Sequence, residues 1–209
     1  LEYKNLAEQK IRKTISRGKI PIICGGTGFY IDAVTKGIIF PEVPPNLKLR
    51  KTLDKKSLSE LLKMLTKLDR KRAENIDTKN KVRLIRAIEI AKALGKVPSL
   101  TTQKSPYKFI KIGLYLPQNE LNKKIEKRVR KMFDAGLLKE IKKIKKIGIS
   151  PKRLQEFGFE YNNPTVPSVI NETIKYSKRQ MTWFKRDKQI KWFTPNEYKK
   201  IEKYVKTIF

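Results

Sequence analysis

Apolar residues recur at helical spacing over most of this chain and cluster at strand-like density in only two short runs. Tyr3, Ala7, Ile11 and Ile15 step by four, which is one face of a helix that Gly18 can close. The stretches "LSELLKMLTKLD" (58–69) and "NKVRLIRAIEIAKALG" (80–95) repeat the pattern, the second ending at Gly95. A long amphipathic helix is expected from about Asn119 to Ala135, broken by Gly136, with another in "LLKEIKKIKKIG". "PTVPS" (164–168) introduces a further helix, in which Ile170, Ile174, Ser177, Met181 and Phe184 form the inward side. The strand-like runs are "KIPIIC" (19–24) and "KFIKIGLYL" (108–116), the latter ended by Pro117. "KIPIIC" leads into "GGTGFY" (25–30) and then into the helical "IDAVTKG", a strand–glycine turn–helix unit of the kind that builds α/β layers.

Two proline-bearing segments, "FPEVPP" (40–45) and "PSLTTQKSPY" (98–107), bracket residues 46–96, whose pattern is helical throughout. The chain therefore reads as an α/β protein with an all-helical insertion: residues 1–42 as one part of an α/β core, 43–104 as the inserted helical domain, and 105–209 as the rest of the core with C-terminal helices. There is no internal repeat.

Charge changes the picture. The 209 residues include 50 Lys and Arg against 20 Asp and Glu, a net charge of +30. Solubility needs far less, so a polyanionic partner is implied, most simply nucleic acid. A lysine-rich lineage or an anionic membrane surface are the competing explanations. Cys24 is the only cysteine, which excludes a disulfide framework and a thiolate zinc site and fits a reduced, cytoplasmic setting. Histidine is absent, so acid–base chemistry would fall to carboxylates or to groups outside the chain. No apolar run approaches the length of a membrane span. The chain opens at Leu1, not Met, already inside an amphipathic pattern, as expected of a piece of a longer polypeptide.

Four features carry candidate chemistry. Gly25, Gly26 and Thr27, between strand and helix, could expose backbone N–H groups to a phosphate, or could simply make a tight turn. Arg128 lies three residues from Ile125 and four from Met132, on or beside the apolar stripe Leu121, Ile125, Val129 and Met132. A charge there needs a partner or a route to solvent: a structural ion pair, such as with Glu89, a snorkelling side chain, or a ligand phosphate. Arg83 and Arg86 share a helix face with Glu89 a turn on, the ordinary signature of a solvated, salt-bridged surface. In "KYSKRQMTWFKRD" (175–187), Lys175, Arg179, Thr182 and Arg186 follow one line of the helix, a ridge suited to a phosphate backbone. Trp183 beside it could pack in the core or stack on a base.

Read in order, "SRGKIPIICGGTGFYIDAVTKGI" (16–38), "NKVRLIRAIEI" (80–90), "KKIEKRVRKMFDAGLLKEI" (123–141), "LQEFGFEY" (154–161) and "YSKRQMTWFKRD" (176–187) resemble the motif set of the tRNA dimethylallyltransferase family, over about residues 10–193. The resemblance implies a P-loop-kinase-like three-layer α/β core with an inserted helical domain that grips an anticodon stem-loop. It implies transfer of a dimethylallyl group from dimethylallyl diphosphate to N6 of adenosine 37, in tRNAs reading codons that begin with U. The target base would be flipped out of its stack into a channel. By position, Thr27, Arg50, the stretch Val82, Arg83, Leu84, Ile85 and Arg86, and Lys178, Arg179 and Gln180 match tRNA-contacting positions. Gly25, Gly26 and Thr27 match a phosphate-binding turn, and Arg128 matches the catalytic arginine that reaches the reacting diphosphate. The family also implies Mg2+, with its ligands outside this sequence, a monomer and no membrane partner.

The sequence departs from the family pattern in two places. It contains neither the G-x-x-x-x-G-K-[ST] phosphate loop nor the Asp-Ser-x-Gln-x-Tyr segment whose aspartate is the expected base, so the chain by itself is expected to be inactive. The connection "NNPTVPSVINETIK" is shorter than the family's usual helical linker. Two other readings are a non-catalytic RNA-binding fragment and a relative of the P-loop nucleotide kinases.

Overall fold

A computed structural model describes residues 1–208, the side chain of Lys152 excepted. The chain divides into two compact units, 1–24 with 29–106, and 25–28 with 107–209. The helical stretch 43–104 lies in the first unit together with residues 1–24 and 29–42.

In the first unit, α1 (Glu2–Ile15) and α2 (Gly28–Thr35, its first residue counted with the second unit) precede a short strand β1 (Ile38–Ile39), and α3 (Leu47–Asp54), α4 (Leu58–Leu68), α5 (Arg70–Glu74) and α6 (Lys81–Leu94) follow before strand β2 (Thr101–Thr102). The two strands pair antiparallel, Ile38 opposite Thr102. The start of each inserted helix is fixed locally. Asn46, Ser57, Asp69 and Asn80 each accept from the backbone N–H three residues on, and Ser57 with Glu60 completes a capping box. Gly95 ends α6 at φ +80, a conformation a residue with a Cβ rarely adopts. Leu53, Leu61, Leu65, Leu84 and Ile88 are fully buried and form one core under α3, α4 and α6. The Asp69 carboxylate, besides capping α5, accepts from the Val97 N–H at 2.8 Å and so ties down the chain leaving α6.

In the second unit, β3 (Ile112–Leu114) pairs in parallel with β4 (Lys191–Phe193). Between them run α7 (Gln118–Asp134), α8 (Leu137–Lys146), α9 (Pro151–Phe157), a 3-10 turn (Phe159–Tyr161) and α10 (Val166–Phe184), and α11 (Tyr198–Lys206) follows β4. Helices α7 and α10 pack through Ile125, Val129 and Val169, flanked by Leu121, Phe133, Ile170 and Ile174. Thr165 and Ser168 form the capping box that starts α10, with Pro167 in its first turn. The Lys111 ammonium meets the Asp187 carboxylate at 2.7 Å, both side chains largely buried, where β3 and β4 begin to pair.

The expected helices are all present, within two or three residues of their predicted limits. The expected strand at 19–24 is not formed: the segment pairs with no strand among the described residues, and Ile20 and Ile22 are 61% and 88% exposed. The run at 108–116 is a strand only over its central three residues. The α/β class stands, but its sheet content among the described residues is two separate two-stranded pairs.

Candidate functional site

The glycine turn is built against α10. The Gln180 amide donates to the Gly26 carbonyl at 3.0 Å, and a Cβ at Gly26 would fall 1.9 Å from Gln180 Nε2. At Gly28 a Cβ would fall 2.2 Å from the Trp183 ring. These two glycines are therefore required for close approach of the turn to the helix. Gly25 and Thr27 are exposed beside that contact, so the turn offers an open backbone and a hydroxyl on its outer side. Gln180, expected among the tRNA-contacting residues, commits its amide nitrogen to this packing. Trp183 stands at the boundary of core and surface, 36% exposed against Gly28.

Along the rest of α10 the expected division of faces is seen. Val169 is buried, and Ile170, Ile174, Ser177, Met181 and Phe184 are half-buried. Lys175, Lys178, Arg179, Lys185 and Arg186 are exposed. Lys175 pairs with Glu172, and the Arg179 guanidinium lies 5.6 Å from the centre of the Tyr176 ring. Lys178, Lys185 and Arg186 have no ion-pair partner among the described residues.

Arg128 is exposed on α7, turned away from the stripe of Ile125 and Val129. It makes no ion pair among the described residues, and the structural partner considered for it, Glu89, is otherwise engaged. Lys123, Lys127, Arg130 and Lys131 make the outer face of the same helix cationic, with Glu126 paired to Arg130 at 2.7 Å.

The strongest polar construction in the first unit centres on Glu89, which is 2% exposed on the inner side of α6. Arg50 of α3 binds it in bidentate fashion, Nε to Oε1 at 2.9 Å and Nη2 to Oε2 at 2.7 Å. Arg86 donates to Oε2 through Nη1 and to the Val43 carbonyl through Nη2, the latter at 2.9 Å. The Asn46 N–H adds a fourth donor at 2.6 Å. Burial pushes the Glu89 carboxyl up. Hydrogen bonds from Arg50, Asn46 and Arg86, with the Arg50 charge, outweigh it and hold the group at about 2. The Arg50 guanidinium is raised in turn, chiefly by its hydrogen bonds to Glu89.

Of the five residues expected to meet RNA on α6, Val82 and Arg83 are exposed, Arg83 lying 3.8 Å from Asp77. Arg86 is half-buried on Glu89. Leu84 and Ile85 are 0% and 8% exposed, packed in the core, and their side chains cannot reach a surface ligand. With one face of α6 on the core, Leu84 and Ile85 fall on the inward side. The Arg86–Glu89 pair expected on this helix is formed, but Glu89 is buried and not on a solvated face, and neither that burial nor the pairing with Arg50 was anticipated from the sequence. Its signal was present, since an acidic residue four after Ile85 and one after Ile88 falls on the apolar face and must be paired. The partner 39 residues away was not readable.

No three Asp, Glu, Cys or His side chains converge to hold a metal ion among the described residues. No helix of the described residues is long and apolar enough to cross a membrane.

Known proteins resemble this chain over nearly its whole length. A family profile described as IPP transferase matches residues 1–187. A tRNA dimethylallyltransferase of Halothermothrix orenii is 34% identical over 230 aligned positions, covering 99% of this chain and 70% of that protein. The corresponding protein of Syntrophomonas wolfei is 33% identical, covering 99% and 72%. Among solved structures, the full-length tRNA isopentenylpyrophosphate transferase of Bacillus halodurans superposes with a TM-score of 0.61 at 26% identity, over 98% of this chain and 72% of that one. A eukaryotic dimethylallyltransferase acting on tRNA, at 18% identity, shares the fold with a TM-score of 0.67 over 92% of this chain and 55% of that one.

Proposed function

Because the chain belongs to the IPP transferase family, we propose that it grips the anticodon stem-loop of a tRNA and serves dimethylallyl transfer from dimethylallyl diphosphate to N6 of adenosine 37. In that reaction the adenine amine forms a bond to the allyl carbon. The carbon–oxygen bond to the diphosphate breaks, with the electron pair leaving on the diphosphate, and the amine proton passes to a base. Arg128 meets the negative charge that grows on the departing diphosphate, a contact stronger in the transition state than in the ground state. Gly25, Gly26 and Thr27 present backbone N–H groups and a hydroxyl to phosphate. Arg83, Arg86 and Arg50 in one unit, and Lys178 and Arg179 in the other, hold the RNA backbone.

The observation that carries this reading is the exposed cationic row of α10. Helix packing does not need it, since the opposite face supplies all the burial. Like charges at i, i+3 and i, i+4 on a helix are unfavourable unless an anion meets them. The 209 residues contain no Walker-type phosphate loop and no histidine, and the proposal assigns them the grip and the diphosphate arginine. They are expected to bind as a monomer, in a cytoplasmic setting, without transferring label on their own.

Binding of a fluorescent anticodon stem-loop across a salt series tests the reading. Four or more phosphate contacts predict a loss of affinity of about a hundredfold or more between 50 and 200 mM salt. A flat response would remove the nucleic-acid partner and favour a mononucleotide-binding relative of the kinases. Transfer of labelled dimethylallyl by the 209 residues alone would show that the assignment of grip without base is wrong.

A further inference from the structure

Two arginines converge on one buried carboxylate in the first unit, and one carboxylate cannot use them up. Each guanidinium carries five N–H donors. Arg50 commits two to Glu89, and Arg86 commits one to Glu89 and one to the Val43 carbonyl. Three donors remain on each, with no partner among the described residues. The cluster of Arg50, Arg86 and Glu89 keeps one net positive charge. Glu89 is shut away from solvent, whereas the Arg50 and Arg86 side chains are 38% and 35% exposed. The negative charge thus lies inside and the unused donors lie outward of it.

The purpose of such a construction is geometric. Arginine loses rotamer freedom when it binds an anion, and a free surface arginine bears that loss at the moment of binding. Here the loss is met on folding. The bidentate pair locks the plane of Arg50, the double anchorage to Glu89 and Val43 locks Arg86, and the Asn46 N–H fixes the carboxylate against the start of α3. Val82 and Arg83 lie three to four residues before Arg86 on the same flank of α6 and are exposed.

We propose that Glu89 is a positioning residue that preorganises Arg50 and Arg86 as a single fork for one backbone phosphate of the bound RNA. The inference rests on the proposed RNA grip and adds to it a residue that never touches the ligand. Glu89 acts through the two arginines, and its removal is felt as lost geometry, not lost attraction.

The test compares the unaltered chain with Arg50→Lys, Glu89→Gln and the double variant, by stem-loop anisotropy over a salt series, with melting curves to set conditions where each is folded. Lysine keeps the charge and loses the planar fork. Glutamine keeps the size and loses the negative charge, so attraction for RNA at long range rises. Each single variant is expected to bind about tenfold more weakly, one charge-assisted contact's worth. The double variant should lose no more than either single one, because both act on one fork. The salt slope of Glu89→Gln should be no shallower than that of the unaltered chain. If folded Glu89→Gln and Arg50→Lys bind as tightly as the unaltered chain, the cluster is merely structural and the inference fails while the RNA grip stands. If the unaltered chain binds no stem-loop, the grip fails and the inference with it.

Discussion

Removing the charge of Glu89 should alter the acid sensitivity of the fold in a way that can be worked out beforehand. The folded carboxyl titrates at about 2, against an ordinary value near 4.5 when the chain is unfolded. A depressed carboxylate contributes its full stabilisation above the unfolded value and loses it progressively as pH falls toward the folded one. At 1.36 kcal/mol per unit the difference is about 3 kcal/mol. Both partner guanidiniums are more than one-third exposed, and solvent screening brings this to about 2–3 kcal/mol. Glu89→Gln should therefore cost about 2–3 kcal/mol at pH 7, and that difference should shrink between pH 5 and pH 2. Glu60, Asp69, Glu172 and Glu197 are also held below their usual range. They make both proteins acid-sensitive and drop out on subtraction. Urea unfolding followed by circular dichroism at half-unit pH intervals gives the two curves. Parallel curves from pH 7 to pH 2 would refute the argument, because a carboxylate held at about 2 by its partners cannot be removed without changing the slope.

Leu84→Ala removes a fully buried side chain from the core of α3, α4 and α6 and should cost about 3 kcal/mol in urea unfolding with an unchanged denaturant slope, a loss under about 1 kcal/mol contradicting the packing described. Gly28→Ala drives a methyl into the Trp183 ring and should cost about 1–3 kcal/mol and shift tryptophan emission, so an unchanged spectrum and stability would show that the turn does not pack on α10 as described. Arg128→Ala, made in an active enzyme containing this chain, should leave stability within about 0.5 kcal/mol, since the side chain is exposed, and lower turnover far more than stem-loop affinity. Loss of stability with unimpaired turnover would instead make Arg128 a structural residue.

Those contrasts follow the line between what the sequence disclosed and what it did not. The helices were legible because their determinants are local. The capping residues Asn46, Ser57, Asp69, Asn80 and Thr165 stand next to the periods they start, and the apolar stripes of α4, α7 and α10 are visible without knowing what they pack on. Strands were legible only as apolar density. Residues 112–114 become a strand by pairing with 191–193, nearly eighty positions on, while residues 19–24, at least as apolar, have no such partner among the described residues and leave Ile22 almost fully exposed. Density without a partner does not make a strand. The candidate site divides the same way. Exposed Lys175, Arg179 and Arg186 followed from helix phase, whereas the pairing of Glu89 with Arg50 depended on how α3 meets α6.

That last dependence has a physical consequence for the cationic surface as a whole. Charge count alone cannot distinguish Arg50 from Lys178, though each adds one positive charge to the +30 of the chain. Lys178 is exposed and pairs with no acidic side chain among the described residues, so in the proposed reading it would draw RNA at a distance, screened by salt. Arg50 is fixed by a buried carboxylate in the same unit and has already lost the rotamer freedom that binding would otherwise take. A basic surface made only of the first kind attracts polyanions without choosing a register. The Arg50–Glu89–Arg86 cluster gives up one unit of net charge to Glu89 and gains a fixed donor geometry. That exchange adds nothing to non-specific attraction, and it suits the proposed grip, in which an anticodon stem-loop would be set in one position.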